Sequence, residues 1–313
     1  MQQVDTQFYP GWTRKAITFS IDDGVIPNDR KFIEIVRPAG IKGTFNLCTH
    51  NMTYIPKEEY REFYRGYEIA NHTKHHPYAF EDGVTYQISN LLFDREHAEP
   101  EFIYPTETEH LFYIYKSPKG WRLIADTEGY ITFIDKCHEE LEEIFGKGSV
   151  RSFVWPFDQQ SNAVIEEHLK HMGYYGVRRS GARCIDGDFN LEEERMPWHY
   201  TANHINLLEL ADLYEKQADD GNLKIFCFGV HSNDFERDKK WDELKEFAKK
   251  YGNRPQDYYY ATVGEIFDYA DALKELIITE NVVSNPTDLD LYIAVDGKNI
   301  MIKAGTDYLR NLE

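Results

Sequence analysis

The chain has 313 residues, enough for one large α/β domain or two ordinary ones with an extensive apolar core, so length alone leaves the domain count open. Asp and Glu number 54 against 35 Lys and Arg, a formal charge of −19, which repels polyanions and argues against nucleic acid as a partner while favouring a neutral or cationic substrate. Four widely spaced cysteines, Cys48, Cys137, Cys184 and Cys227, form no CxxC pair and no dense framework, which speaks against a thiolate zinc site or a disulfide scaffold and for free thiols.

The first residues, "MQQVDTQFYPGWTRK", have no apolar core of the kind a signal peptide needs, and no stretch approaches the roughly 18 apolar residues of a membrane span. A soluble, cytoplasmic protein without a membrane partner is expected, with export after removal of a signal as the open alternative. Along the chain, β-rich runs alternate with helical patterns. The expected strands are "AITFSI", "KGTFNLC", "YEIANH", "SFVWPF", "YYGVRR", "LKIFCFGV" and "YYYAT". Between them, "DRKFIEIVRPAG", "FIDKCHEELEEIFG", "SNAVIEEHLKHMG", "LLELADLYEKQADD" and "WDELKEFAKKYG" carry apolar residues at helical spacing, several closed by Gly. This alternation is the rhythm of β/α units around a parallel sheet. Two regions break it. From 81 to 126 the pattern turns aromatic and alternating, with a hairpin expected around "SPKG"; after Ile277, Asp296-Gly297 between alternating runs signals a second hairpin. Residues 1–276 thus read as one α/β domain with an insertion at 81–126, and 277–313 as a C-terminal β-hairpin extension packed on it.

Chemistry concentrates in a few short stretches. Asp22 and Asp23 end an apolar strand just before Gly24, where a turn brings both carboxylates toward one cavity; read alone, Asp-Asp-Gly is equally a polar turn. In "YEIANHTKHHPYAF", His72 and His76 are four apart, a spacing that on one helical turn or a tight loop aims both imidazoles at one ion. Two neutral nitrogens and one carboxylate form a usual catalytic zinc shell with a position left for water. The bland reading of the same stretch is a solvated helix cap.

Together, "TFSIDDG" and "EIANHTKHHP" resemble the first two motifs of the polysaccharide deacetylases, carbohydrate esterase family 4, in which a T-F-D-D strand end is followed by H-[ST]-x-x-H. The resemblance runs over roughly residues 15–270, interrupted by the insertion. It implies an α/β fold, an incomplete (β/α)7-type barrel, with the site at the C-terminal ends of the strands. It further implies Asp22 as catalytic base and Asp23, His72 and His76 as metal ligands, with His75 on a variable position. "SFVWPFDQQSN" resembles the third motif, with the backbone N–H of Phe157 facing the oxyanion and with Trp155 and Pro156 on the substrate side. "IFCFGVHSND" resembles the fifth, with His231 as general acid; a capping histidine is the plainer alternative. Ser20-Ile21 stands where the family has Thr-Phe, and Gly229 where a Leu often lines the acyl pocket. The Arg that orients the base in the family has no clear counterpart, with Arg151, Arg178, Arg179 and Arg183 as substitutes.

The expected function is that of a metal-dependent deacetylase or amidohydrolase cleaving a non-peptide C–N bond, removing an acyl group, N-acetyl first, from an amino sugar or glycan. Zn2+ is the first expected metal, with Co2+, Ni2+, Mn2+ or Fe2+ as alternatives. An amidase acting on a small non-sugar amide and a catalytically silent glycan-binding module are the competing readings; metal content and a substrate panel separate them. The aromatics of the insertion, Phe112, Tyr113, Tyr115 and Trp121, are expected either to line the substrate groove or to form a core or homo-oligomer contact.

Overall fold

The computed structural model describes residues 3–80, 86–88, 91–93, 102–105, 111–117, 120–158, 162–178, 189–191 and 206–309. Seven parallel strands form the main sheet: β1 (Lys15–Asp23), β2 (Gly43–Leu47), β3 (Glu68–Asn71), β4 (Ser152–Val154), β5 (Tyr175–Arg178), β6 (Lys224–His231) and β7 (Tyr259–Tyr260). Their order is 5-4-3-2-1-6, with β7 alongside the first half of β1. The ends of this path, β5 and β6, are not paired with each other among the described residues, an arrangement that fits an incomplete (β/α)7-type barrel. All seven inner residues of β1 are buried, as expected of a central parallel strand covered on both faces; the large Ile17, Phe19 and Ile21 alternate with the small or polar Ala16, Thr18, Ser20 and Asp22.

Among the described residues, seven helices of six residues or more accompany the strands: α1 (Ile26–Val36), α2 (Thr127–Phe145), α3 (Ala163–His171), α4 (Leu207–Glu215), α5 (Ser232–Arg237), α6 (Trp241–Tyr251) and α7 (Val263–Lys274). Side-chain caps set several of their starts. Asp126 accepts from the Gly129 N–H at 2.7 Å, so α2 begins six residues before the expected "FIDK" stretch. Asn162 accepts from the Val164 and Ile165 N–H groups, and Thr262 and Glu265 cap each other at the start of α7, a helix that the apolar spacing did not single out. Strand β4 stops at Val154, short of the expected "SFVWPF", because Pro156 lacks a donor and Phe157 turns left-handed at φ 59°.

In the insertion, Leu111–Ser117 and Gly120–Asp126 pair antiparallel about the expected turn, and the second of these also runs parallel to Tyr78–Phe80. The side chains of Phe112, Tyr113, Tyr115 and Trp121 lie outside the described residues, as do Cys184, Arg179 and Arg183. Cys48, Cys137 and Cys227 are buried free thiols. The C-terminal hairpin, Leu291–Val295 with Lys298–Ile302, turns through Asp296 at φ 50° and Gly297 at φ 76°, both in the left-handed region that a two-residue hairpin loop demands. It recruits Val4–Asp5 as a third strand and is fixed to the barrel by the Tyr292 N–H donating to Tyr269 Oη (2.9 Å) and Trp12 Nε1–H to the Ile293 carbonyl (3.1 Å). Beyond the hairpin, Ile277–Ile278, Val282–Ser284 and Asp307–Leu309 make a second small sheet. No helix among the described residues is long and apolar enough to cross a membrane.

The main core lies between β1, β6 and their covering helices. Phe19 of β1 packs edge-on against Phe32, Phe247 and Phe228, with ring centroids 5.1, 5.5 and 6.0 Å away, and has no exposed surface. Phe19→Ala is expected to cost about 3–5 kcal/mol, because the interlocked rings cannot collapse into the space. Denaturant unfolding measures it, and a loss below about 1 kcal/mol would show that the cluster is not the centre of the core.

Candidate active site

Parallel register brings the candidate residues into one layer. His231 at the end of β6 sits opposite Asp22 at the end of β1, and Asp22 opposite Asn46 on β2. All lie at the C-terminal edge of the sheet. A regular strand would send Asp22 and Asp23 to opposite faces. Asp23 instead adopts φ 78° and Gly24 φ 72°, which breaks the alternation and swings the second carboxylate onto the same rim. Gly24 is required there twice over, since a Cβ would also meet the Leu47 side chain at 2.9 Å.

The histidines arrive on a tight loop rather than a helical turn. Asn71 Oδ1 accepts from the Thr73 N–H at 2.8 Å, Thr73 Oγ1 accepts from the His76 N–H at 3.0 Å, and both Thr73 and His76 have positive φ. The His72 and His76 rings meet edge to face, 4.7 Å apart. His72 Nε2 and His76 Nε2 each lie 3.6 Å from Asp23 Oδ1, and the three ligating atoms fall within 4.8 Å of one another. His72 Nδ1 is 2.7 Å from the Val154 carbonyl, which can only accept; Nδ1 therefore carries a proton, and Nε2 is left as the ring atom that faces Asp23 and can serve as a ligand when unprotonated.

Burial, together with the charges of His72 and His231, pushes His76 down to about 3 against the pull of Asp23, so its imidazole is neutral. Burial raises the Asp23 carboxyl, but His231, His76 and His72 outweigh it and hold the group below the usual range, hence ionised. Asp23 Oδ1 is buried and accepts no hydrogen bond. A buried carboxylate oxygen facing the Nε2 atoms of two imidazoles is a donor set that fits a divalent cation. The Val154 carbonyl orienting His72 is the kind of outer contact such sites use.

Asp22 is buried and accepts from Asn46 Nδ2 at 2.6 Å; the same amide donates to Ser20 Oγ at 2.8 Å. Asn46 therefore supplies the orientation expected of an arginine. Arg151 sits at the opposite end of β4 in an ion pair with Asp268 on α7 (2.7 Å), which removes it as a substitute; of Arg178 only the backbone, at the end of β5, is described. A polar Asn inside the buried strand "GTFNL" was the sequence signal for this role.

His231 is both a capping residue and a member of the cluster. Its backbone N–H donates to Asp234 Oδ2 at 3.1 Å, its Nδ1–H to the same oxygen at 3.0 Å, and its Nε2 lies 3.7 Å from Asp23 Oδ2. Burial works against the imidazolium, yet the Asp234 hydrogen bond and the charges of Asp23 and Asp22 push His231 up to about 9. Asp234 is itself buried and gripped by Arg237 Nη1 at 2.5 Å. Sequence reading passed over it, although His-Ser-Asn-Asp places an acid three residues after a strand end, the spacing of a reciprocal cap.

Phe157 stacks flat on Tyr78, 3.8 Å between centroids and 4° between planes, and its ring lies 4.4 Å from that of His76, so it walls the metal-side histidine. Two expected substrate contacts are corrected. Trp155 is 1% exposed, stacked on Tyr130 and packed edge-on against Phe153 in the core, and Pro156 is buried with it; β4 turns these residues inward before the left-handed Phe157 returns the chain to the rim. Trp121 remains outside the described side chains. His75 turns away from the cluster, its ring against Phe133 (4.9 Å) and near His50 (5.3 Å), and burial pushes it down to about 4. Gly229 lies opposite Ser20 in the β1–β6 register.

Residues 11–177, more than half of the chain, match the polysaccharide deacetylases, and the chain belongs to this family. Its fold is similar to that of a polysaccharide deacetylase-type protein from Mycobacterium smegmatis, at a TM-score of 0.50 and 13% identity over 85% of this chain and 93% of that one. Weaker likeness extends to a CE4 esterase from Streptococcus mutans (TM-score 0.45, 14% identity, 80% of this chain and 86% of that one). A chitin deacetylase from Colletotrichum lindemuthianum is similar at the same level (TM-score 0.44, 13% identity, 81% and 87%). No curated protein matches the chain.

If Asp23, His72 and His76 are ligands, His76→Ala loses most bound metal while the far-UV circular dichroism stays native, because the core and not the site holds the barrel. Metal analysis after dialysis reads this, and an unchanged stoichiometry would overturn the ligand set.

Proposed function

We propose that the chain hydrolyses an amide on a glycan, removing an N-acetyl group from an amino sugar. One observation carries the reading: the cation-shaped set of Asp23, His72 and His76 shares one rim with an oriented carboxylate, Asp22, and with the imidazole of His231, whose Nδ1 is tied to Asp234. Family membership supports the substrate class. A divalent cation held by that set, zinc first, supplies Lewis-acid polarisation of the amide and of water.

The chain's own residues do the rest. Asp22, fixed by Asn46, accepts the proton that water gives up as its oxygen forms the new bond to the amide carbon. The backbone N–H of Phe157 is the donor assigned to the developing oxyanion, a kind of contact worth roughly 3 kcal/mol when lost. His231, carrying its proton on Nε2 with Nδ1 tied to Asp234, protonates the leaving nitrogen as the C–N bond breaks, without which an amine anion could not depart. The products are acetate and a free amine. Once protonated in water, the amine is a cation leaving a protein of formal charge −19. Steady-state assays of acetylated glucosamine oligomers against small cyclic amides test the reading; hydrolysis of the cyclic amides alone would replace it with a small-molecule amidase.

Asp22→Asn keeps the shape and removes the base, so turnover is expected to fall by about 100-fold or more with metal still bound. The alkaline limb of kcat/KM reports loss of the His231 proton, since activity requires the protonated form and falls as pH rises through its raised pKa. Asp234→Asn removes a raising contribution, so the limb moves to lower pH; a limb that stays in place in both His231→Ala and Asp234→Asn identifies another acid.

A further inference from the structure

Six residues after Asp23, a second carboxyl lies fully out of solvent, and the chemistry above makes no use of it. Asp29, in the first turn of α1, accepts from Ser232 Oγ–H at 2.5 Å on one oxygen and from Tyr64 Oη–H at 2.6 Å on the other. Each of its partners leads to the rim. Ser232 immediately follows His231 and opens α5, and it too is fully buried. Tyr64 is buried against Phe45 of β2, with its hydroxyl 3.9 Å from where a Cβ of Gly24 would stand, directly beneath the turn that presents Asp23. The helix bearing Asp29 starts two residues after Gly24.

A carboxylate accepts from both hydroxyls at once; an amide has one acceptor and one donor side, so one hydroxyl would have to reverse and accept. Burial pushes the Asp29 carboxyl up to about 6 against the two hydrogen bonds, so the group is held where its environment disfavours charge. Helix stability does not require it, since an acid in the first turn of a helix does its electrostatic work as well from the surface. We propose that Asp29 is a positioning residue: through Ser232 it fixes the end of β6 onto α1, and so sets the separation between the His231 imidazole and the Asp23 carboxylate. Asp234 sets the rotation of the imidazole from one side, and the Asp29–Ser232 bond sets its placement from the other. The catalytic part of this inference rests on His231 being the acid, as proposed above.

The test uses the full chain with Asp29→Asn and Ser232→Ala, read in two ways. In the metal-free protein at fixed pH, the imidazole carbon–proton NMR signal of His231, assigned by its loss in His231→Ala, is expected to shift and broaden in both variants. In the zinc-loaded protein acting on an acetylated glucosamine oligomer, kcat is expected to fall about tenfold with KM little changed, the size of effect that sub-ångström misplacement of a reacting group produces. Adding Asp29→Asn to His231→Ala should then lower kcat no further, whereas a purely structural effect would add. A lower melting temperature with the His231 signal and kcat unchanged in both variants overturns the proposal and leaves Asp29 a structural residue. If Asp29→Asn does not fold, Ser232→Ala decides alone. If the wild-type chain deacetylates nothing, the proposed function fails, and the NMR signal still decides whether Asp29 places His231.

Discussion

The site depends on one half-buried carboxylate. Asp23 is ionised, out of water on one oxygen, and surrounded by three imidazoles, with His72 and His76 on one side and His231 on the other. An ion in that position is costly unless charge of the opposite sign reaches it. The surrounding structure concentrates its irregular backbone there: Asp23, Thr73, His76 and Phe157 all have φ between 53° and 78°. Left-handed conformations in residues other than glycine each cost on the order of 1–3 kcal/mol where the surroundings impose them. They persist because the register of β1, β2 and β6 and the hydrogen bonds of Asn71 and Thr73 leave the chain no other course.

The same carboxylate acts on two histidines with opposite outcomes. Desolvation and the neighbouring His72 push His76 down toward the neutral form; His231, with Asp234 bonded to its other nitrogen, is pushed up toward the protonated one. Residue type does not separate these roles, and neither does distance to Asp23, which is 3.6 Å for one and 3.7 Å for the other. The separating feature is a second acid on the far side of one ring. Environments that push like groups apart in this way suit the proposed division of acid and ligand within one cluster.

Much of this was legible in the chain. The strand-helix rhythm announced a parallel α/β sheet because parallel neighbours need a crossover between them, as α1 provides between β1 and β2. Asp22-Asp23-Gly24 and His72-x-x-x-His76 stood out because ionisable residues at a strand end and clustered histidines have no packing reason to be there. Asp296-Gly297 fixed a hairpin by turn chemistry that is local to two residues. The start of α1, the extent of α2 and the existence of α5 and α7 were less visible, since Pro27, Asp126, His231 and Thr262 set those boundaries through contacts that apolar periodicity does not report.

What the sequence by itself determined is therefore the class of fold and the residue types of the site, both of which follow from local pattern: period, turn residues and short motifs. Only the tertiary structure decided how those residues work together. Asn46, from a neighbouring strand, took the place in which an arginine was sought; Trp155 and Pro156 went into the core; and Asp29 met Ser232 across 203 residues of chain. Each of these turns on strand register or on a left-handed residue that re-aims the chain, and both are settled by the packing of segments far apart in sequence, which no local stretch encodes.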